Sequence, residues 1–209
     1  VADFKIEKSF LNRGHRYIAG VDEVGRGALC GPVVAAAVVF PSYLIMRRPP
    51  AWVRETRDSK LLSGKKRREL AEAILFSAEA VGIGLCTNLE IDRWNIFRAS
   101  HEAMRRAIGR MEIRPDIVLV DGLAIPGFPG FQEAIPKGDK KSRTIAAASI
   151  IAKVLRDRIM MACDRIYPGY GLAKNAGYGT EEHYRALDRL GPSPFHRRSF
   201  KLQWDKRLF

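Results

Sequence analysis

The sequence predicts one α/β domain with a C-terminal helical extension, and three observations carry that prediction. Short apolar, β-branched runs recur between turn residues, as in "YIAGVDEV", "GPVVAAAVVF" and "DIVLVDG". Two long stretches, 88–111 and 141–166, carry apolar residues at helical spacing opposite a charged face. From Tyr167 onward the chain is instead basic, aromatic and rich in Gly and Pro, with room for one short helix. No internal repeat, low-complexity tract or clear linker interrupts the 209 residues, a length that one core can serve.

Residues 17–23 and 32–40 read as strands of a hairpin joined by the glycine-rich turn "GRGALCG". Prolines and charges mark 41–64 as a surface loop holding "DSK" at 58–60. Ser63 or Gly64 caps a helix running to about Ala80, with Leu70, Ile74 and Ala78 along one stripe, and "VGIGLCT" follows as a short strand. Ile91, Ile96, Ala99, Ala103, Ala107 and Ile108 form the inner stripe of one long helix that cannot continue past Pro115. "DIVLVDG" is a strand ending in Asp121, and "QEAIPKGD" a second ending near Asp139. Ile145, Ala148, Ala152, Leu155, Ile159 and Ala162 mark the next long helix, and Thr180 opens the short helix of the tail.

Lysine and arginine number 36 against 23 acidic residues, a net charge of +13 that favours a polyanionic partner. The longest apolar run is far shorter than the roughly 20 residues a bilayer span needs, and "VADFKIEKSF" has no signal-peptide core. Cys30, Cys86 and Cys163 are scattered and odd in number, so buried free thiols in a reducing compartment are expected. These features predict a cytoplasmic protein, by default a monomer. His101, His183 and His196 have no zinc spacing, and "SGKKRREL" lacks the spacing of a phosphate-binding P-loop.

Asp22, Asp121 and Asp139 each follow an apolar strand at or near its C-terminal end, where an α/β sheet brings remote residues together. Carboxylates gathered there repel one another unless a cation joins them, and hard divalent ions with oxygen ligands, Mg²⁺ or Mn²⁺, suit that donor set. The chemistry implied is metal-assisted hydrolysis of a phosphodiester. Any one of these residues alone is as well explained by a strand-end turn. Glu23 raises a geometric difficulty, because adjacent strand residues point to opposite faces. The strand must end or bulge there for both to serve one site, or Glu23 must approach from the side or through water.

The segments "VDEVGRGALCGPVVAAAVV", "DSKLLS", "EIDRWNI", "VDG", "KGDKKS", "AAASIIAKVLRDR", "GYGTEEH" and "HRRSF" occur in an order that resembles the bacterial ribonuclease HII family, the type 2 ribonucleases H, over residues 17 to about 200. The resemblance implies a ribonuclease H-like fold, a central mixed five-stranded sheet flanked by helices. Residues 167–209 become a substrate-binding extension of a single catalytic domain spanning 1–209. It implies four acidic residues, Asp22, Glu23, Asp121 and Asp139, that hold two divalent ions, Mg²⁺ or Mn²⁺. Asp157 competes for the fourth place, but inside a long helix it reads better as an ion pair with Lys153. The related ribonuclease HIII would carry an N-terminal domain for which few residues precede Asp22.

The implied activity is hydrolysis on the 5′ side of a ribonucleotide, in RNA/DNA hybrids and at single ribonucleotides embedded in duplex DNA, leaving 3′-hydroxyl and 5′-phosphate ends. Its role would be removal of ribonucleotides from DNA and clearance of primers. Gly25, Arg26 and Gly27 form the turn expected to read the 2′-OH, since glycine lets the main chain approach a sugar closely. Arg26 is as readily a salt-bridge partner of a nearby carboxylate. Tyr178 is expected to pack on the sugar 3′ of the ribonucleotide. Lys60 is expected on a phosphate, with Ser142, Arg143 and Lys174 as weaker choices, while Asp58 and Ser59 organise their own loop. Two rival readings are a DNA nuclease or strand-transferase built on the same carboxylates, and a non-enzymatic basic protein that binds nucleic acid through its tail.

Overall fold

The computed structural model describes residues 2–47, 49–56, 59 and 62–200. Its elements run α1 (Lys5–Asn12), β1 (Ile18–Val24), β2 (Val33–Val39), α2 (Ser42–Met46), α3 (Ala51–Glu55), α4 (Gly64–Ser77), β3 (Ala80–Cys86), α5 (Asn88–Trp94), α6 (Ile96–Gly109), β4 (Ile117–Asp121), β5 (Gln132–Ile135), α7 (Arg143–Ile166), α8 (Leu172–Asn175) and α9 (Glu181–Leu190). The five strands form one mixed sheet in the order β3-β2-β1-β4-β5. β1, β2 and β3 pair antiparallel, whereas β4 and β5 continue from β1 in parallel.

Alternation along β1 sorts its side chains between two helical layers. Ala19 and Val21 join Ala99, Ala103 and Ala107 of α6, whereas Ile18 joins Leu119 and Ile145 on the α7 side. Both helices lie close because glycines face them. A Cβ on Gly20 would lie 2.4 Å from the main chain of Thr144 and Ile145, and one on Gly84 would lie 2.0 Å from the Ala103 carbonyl oxygen. No helix among the described residues is long and apolar enough to cross a membrane. The three cysteines are buried and free.

Several boundaries depart from the sequence expectation. The loop expected at 41–64 contains α2 and α3, which bury Leu44, Ile45 and Val53. The helix expected to reach Ala80 stops at Ser77, so that Ala80 opens β3. The single helix expected over 88–111 is broken at Asn95, whose φ of 71° ends α5 while its side chain accepts from Arg98 N–H to cap α6. β5 ends at Ile135, and Asp139 stands on a 3₁₀ turn, Gly138–Lys140, instead of a strand end. α1, unassigned in the sequence, turns the buried Glu7 toward the start of α7. There its Oε1 accepts from Ser142 Oγ at 2.6 Å and Thr144 N–H at 3.0 Å.

The C-terminal segment is fastened by a pair of histidines. Ser193 N–H donates to His196 Nδ1 at 3.0 Å, so the proton of His196 sits on Nε2 and donates to His183 Nε2 at 3.0 Å. His183 in turn donates from Nδ1 to the Tyr178 carbonyl at 2.9 Å. Every ring nitrogen is thus satisfied with both rings neutral. Burial, and secondarily the neighbouring His183, pull His196 down to about 4.

Two predictions concern stability. Gly84→Ala forces β3 and α6 apart and lowers unfolding free energy by about 1–3 kcal/mol, read as a lower urea midpoint. His196 stabilises the fold fully above its ordinary value of 6.5, and that contribution is lost as pH falls toward about 4. The raised carboxylates described below act in the opposite sense. The difference in Tm between the parent and His196→Asn therefore isolates the histidine: the parent's advantage shrinks across this window.

Candidate active site

β1 and β4 run in parallel with Val21 opposite Val120, so Asp22 and Asp121 come next on neighbouring strands. Strands so paired lie about 4.8 Å apart, and in-register residues share a face. β4 ends at Asp121, and Gly122, at φ 78°, turns the chain away. β1 continues past it, paired on its other edge as Asp22↔Ala36 and Glu23↔Ala35 without a bulge. Both faces of β1 therefore reach an open rim there. Asp22, Glu23, Asp121 and Asp139 line one cavity of about 500 Å³ together with Gly25, Arg26, Gly27 and Tyr178. Glu23 arrives from the α6 side, where it also borders a small cavity with Ser100 and His101.

Hydrogen bonds hold the cluster from below. Glu23 N–H donates to Asp22 Oδ1 at 2.7 Å, and Gly138 N–H donates to Asp121 Oδ1 at 2.6 Å, which ties the Asp139 turn to β4. Burial first, then the charges of Glu23 and Asp121, raise Asp22 well above the ordinary carboxylate range. Burial also raises Glu23, against the opposing effect of Arg26, whose Nη1 donates to Glu23 Oε1 at 3.2 Å. The other oxygen, Glu23 Oε2, is buried without a hydrogen-bond partner. Oxygen donors that resist ionisation, one of them orphaned, fit a hard divalent cation.

Other expected residues fall elsewhere. Ser142 is not a phosphate ligand, because it is fully buried, donates to Glu7 and caps α7 by accepting from Ile145 N–H. Arg143 is likewise turned inward, donating to the Val53 carbonyl. Lys174 is exposed and pairs with Glu182. Lys60 and Asp58 lie outside the described residues. Asp157 forms the expected ion pair with Lys153 within α7 at 2.6 Å and a second with Arg67 of α4 at 3.2 Å.

Three further polar residues line the cavity: Ser59, which the sequence assigned only to its own loop, Lys153, assigned only to an ion pair with Asp157, and Ser149, not singled out at all. Ser59 is buried with its hydroxyl 3.0 Å from that of Ser149, which in turn lowers Asp22 by hydrogen bonding. Ser149 and Lys153 were findable as polar residues four apart on an otherwise apolar helix face. Cys30, His183 and His196 also cluster, yet they make no metal centre in this arrangement. The histidine nitrogens are spent on one another and on the backbone, and burial pushes the Cys30 thiol up to about 12.

Comparison with known proteins agrees with this geometry. A family model described as Ribonuclease HII matches residues 19–203. Ribonuclease HII of Moorella thermoacetica is 50% identical over 195 residues, covering 93% of this chain and 91% of that one. Ribonuclease HII of Clostridioides difficile is 48% identical over 194 residues, covering 93% and 73%. The crystal structure of ribonuclease H2 from Pyrococcus horikoshii OT3 superposes with a TM-score of 0.75 at 26% identity, covering 91% of this chain and 98% of that one. The fold is shared as well with Bst-RNase HIII in complex with Mn²⁺, at a TM-score of 0.72 and 18% identity over 93% and 70% of the two chains. The breadth of the family match and the identity to its curated members show that the chain belongs to the ribonuclease HII family and is a ribonuclease H, a hydrolase of nucleic acid.

Proposed function

We propose that this ribonuclease H hydrolyses the phosphodiester on the 5′ side of a ribonucleotide, both in RNA/DNA hybrids and at single ribonucleotides embedded in duplex DNA. The products are a 3′-hydroxyl and a 5′-phosphate. The observation that carries this reading is the shared cavity: the carboxylates and the Gly25–Gly27 turn face the same space, with Tyr178 at its edge. Two divalent cations, Mg²⁺ or Mn²⁺, held by Asp22, Glu23, Asp121 and Asp139 supply the Lewis acidity for water activation and leaving-group stabilisation. A Mn²⁺ complex of the related Bst-RNase HIII supports that choice of ion.

The protein's own groups bind and orient. Among the described residues the N–H groups of Arg26 and Gly27 donate to no backbone carbonyl, which leaves them for a ribose 2′-OH or its phosphate. Arg26 itself steadies Glu23. Tyr178 offers a ring to the next sugar, where a deoxyribose packs without a hydroxyl. The segment 167–209 grips the duplex beyond the cut. Arg189 lines a concavity there beside Lys174 and Arg185, which are paired with Glu182 and Glu181, and +13 of net charge draws in a polyanion.

Asp22→Asn removes a central cation ligand and is expected to cost about 4 kcal/mol or more of transition-state stabilisation, a thousandfold loss of cleavage, while duplex binding persists. Cleavage of a duplex carrying one ribonucleotide, followed in Mg²⁺, checks this, and an all-DNA duplex should stay intact in the parent. Turnover retained by the variant rejects the assignment. A second expectation concerns pH. Because Asp22 and Glu23 hold protons more tightly than ordinary carboxylates, cation and proton compete, and apparent metal affinity falls as pH falls. The acid limb of kcat/KM against pH therefore moves to lower pH when Mg²⁺ is raised; a limb independent of Mg²⁺ contradicts the site.

A further inference from the structure

Arg156 and Arg197 head the largest fully buried side chains among the described residues, and the chemistry above uses neither. The hydrogen bonds of both go to backbone carbonyls. Arg197 donates from Nε to Gly31 at 3.0 Å, from Nη1 to Arg26 at 2.8 Å and from Nη2 to Gly25 at 2.6 Å. Arg156 donates from Nε to Pro32 at 2.9 Å, from Nη2 to Cys30 at 3.2 Å and from Nη1 to Ala176 at 2.8 Å. Burial draws both guanidiniums below their ordinary value, and Arg156 depresses Arg197 further. A buried cation answered by carbonyl dipoles and one aromatic ring, with no carboxylate hydrogen-bonded to it, carries a desolvation penalty of several kcal/mol, so packing alone is a poor reason for two of them.

Their geometry supplies a better one. Arg197 draws the carbonyls of Gly25 and Arg26 to itself, so in these trans peptides the N–H groups of Arg26 and Gly27 point the opposite way, on residues that line the cavity. Arg156 presses against the same turn, since a Cβ on Gly25, at φ 95°, would lie 2.1 Å from its Nε. The same guanidinium lies 5.4 Å from the centroid of the Tyr178 ring and holds the Ala176 carbonyl two residues earlier. One side chain thus touches both elements assigned to the substrate. Lysine, whose three donors share one nitrogen, cannot span either three-way fork.

We propose that Arg197 and Arg156 are positioning residues for sugar discrimination. Arg197 sets the outward face of the turn that reads the ribose, and Arg156 sets the spacing between that turn and Tyr178, so that the two meet adjacent sugars of one strand. This rests on the reading of the Gly25–Gly27 turn and Tyr178 given above, and the test separates the two claims.

Binding is measured in the uncleaving Asp22→Asn protein, with three duplexes of one sequence: all DNA, one ribonucleotide followed by deoxyribose, and two successive ribonucleotides. The Asp22→Asn protein prefers the single ribonucleotide to all DNA; absence of that preference defeats the reading of the turn itself. Adding Arg197→Lys lowers the preference about tenfold, with affinity for all DNA unchanged. Adding Arg156→Lys instead erodes the preference for one ribonucleotide over two. Equal weakening on every duplex, or ratios that do not move, overturns the proposal in favour of a purely structural role. Phe200→Leu keeps the test open should Arg197→Lys fail to fold. It removes the ring 5.0 Å from the Arg197 guanidinium but none of its donors, and it lowers the same ratio by less; an unmoved ratio again overturns the proposal.

Discussion

The constraint on which the rest depends is the parallel register of β1 and β4. With Val21 opposite Val120, the next pair is two aspartates, and like charges about 5 Å apart at an effective dielectric near 20 repel by roughly 3 kcal/mol. The sheet therefore places charge where it is least welcome, and Asp22 and Glu23 are raised first by burial and further by the neighbouring carboxylates. What resists it is rigid packing around the strands. Gly20 lets α7 lie against β1, Gly138 N–H grips Asp121, and Glu7 ties α1 to the first turn of α7 beside the Asp139 turn. A site held this way keeps its donors in place before any cation arrives, which is the preorganisation that electrostatic catalysis requires.

Much of this was legible in the sequence, for physical reasons that differ by element. β1, β2 and β4 announce themselves as β-branched runs, and α7 as an unbroken stripe with a capping serine, because local pattern and tertiary environment agree there. Asp22 and Asp121 followed from strand ends and Glu23 from the family resemblance; Glu23 reaches the same cavity without a bulge because β4 stops one residue short of it. Asp139 was named for a strand end that does not exist, since Pro136 closes β5 early and a 3₁₀ turn carries the carboxylate.

The misreadings share a cause. Ser142 looked like a phosphate ligand because its partner, Glu7, lies 135 residues away, and nothing local reveals that a buried carboxylate caps the same helix. Asn95 breaks a helix whose apolar spacing continues across it. Arg156 and Arg197 were not singled out, because their partners are main-chain carbonyls that carry no side-chain signature. Periodicity reports which face is buried, and it is silent about polar groups buried for orientation.

The fork of Arg197 has a consequence for how the protein is made. Its bond to Gly25 joins residues 172 apart. At a translation rate of about 5–20 residues per second, the ribosome takes on the order of 10–35 s to synthesise the second after the first. During that interval the nascent polypeptide already has Asp22, Glu23 and, later, Asp121 and Asp139, but the loop between β1 and β2 lacks its clasp. The growing chain thus carries its four carboxylates before the loop that Arg197 fastens can be locked.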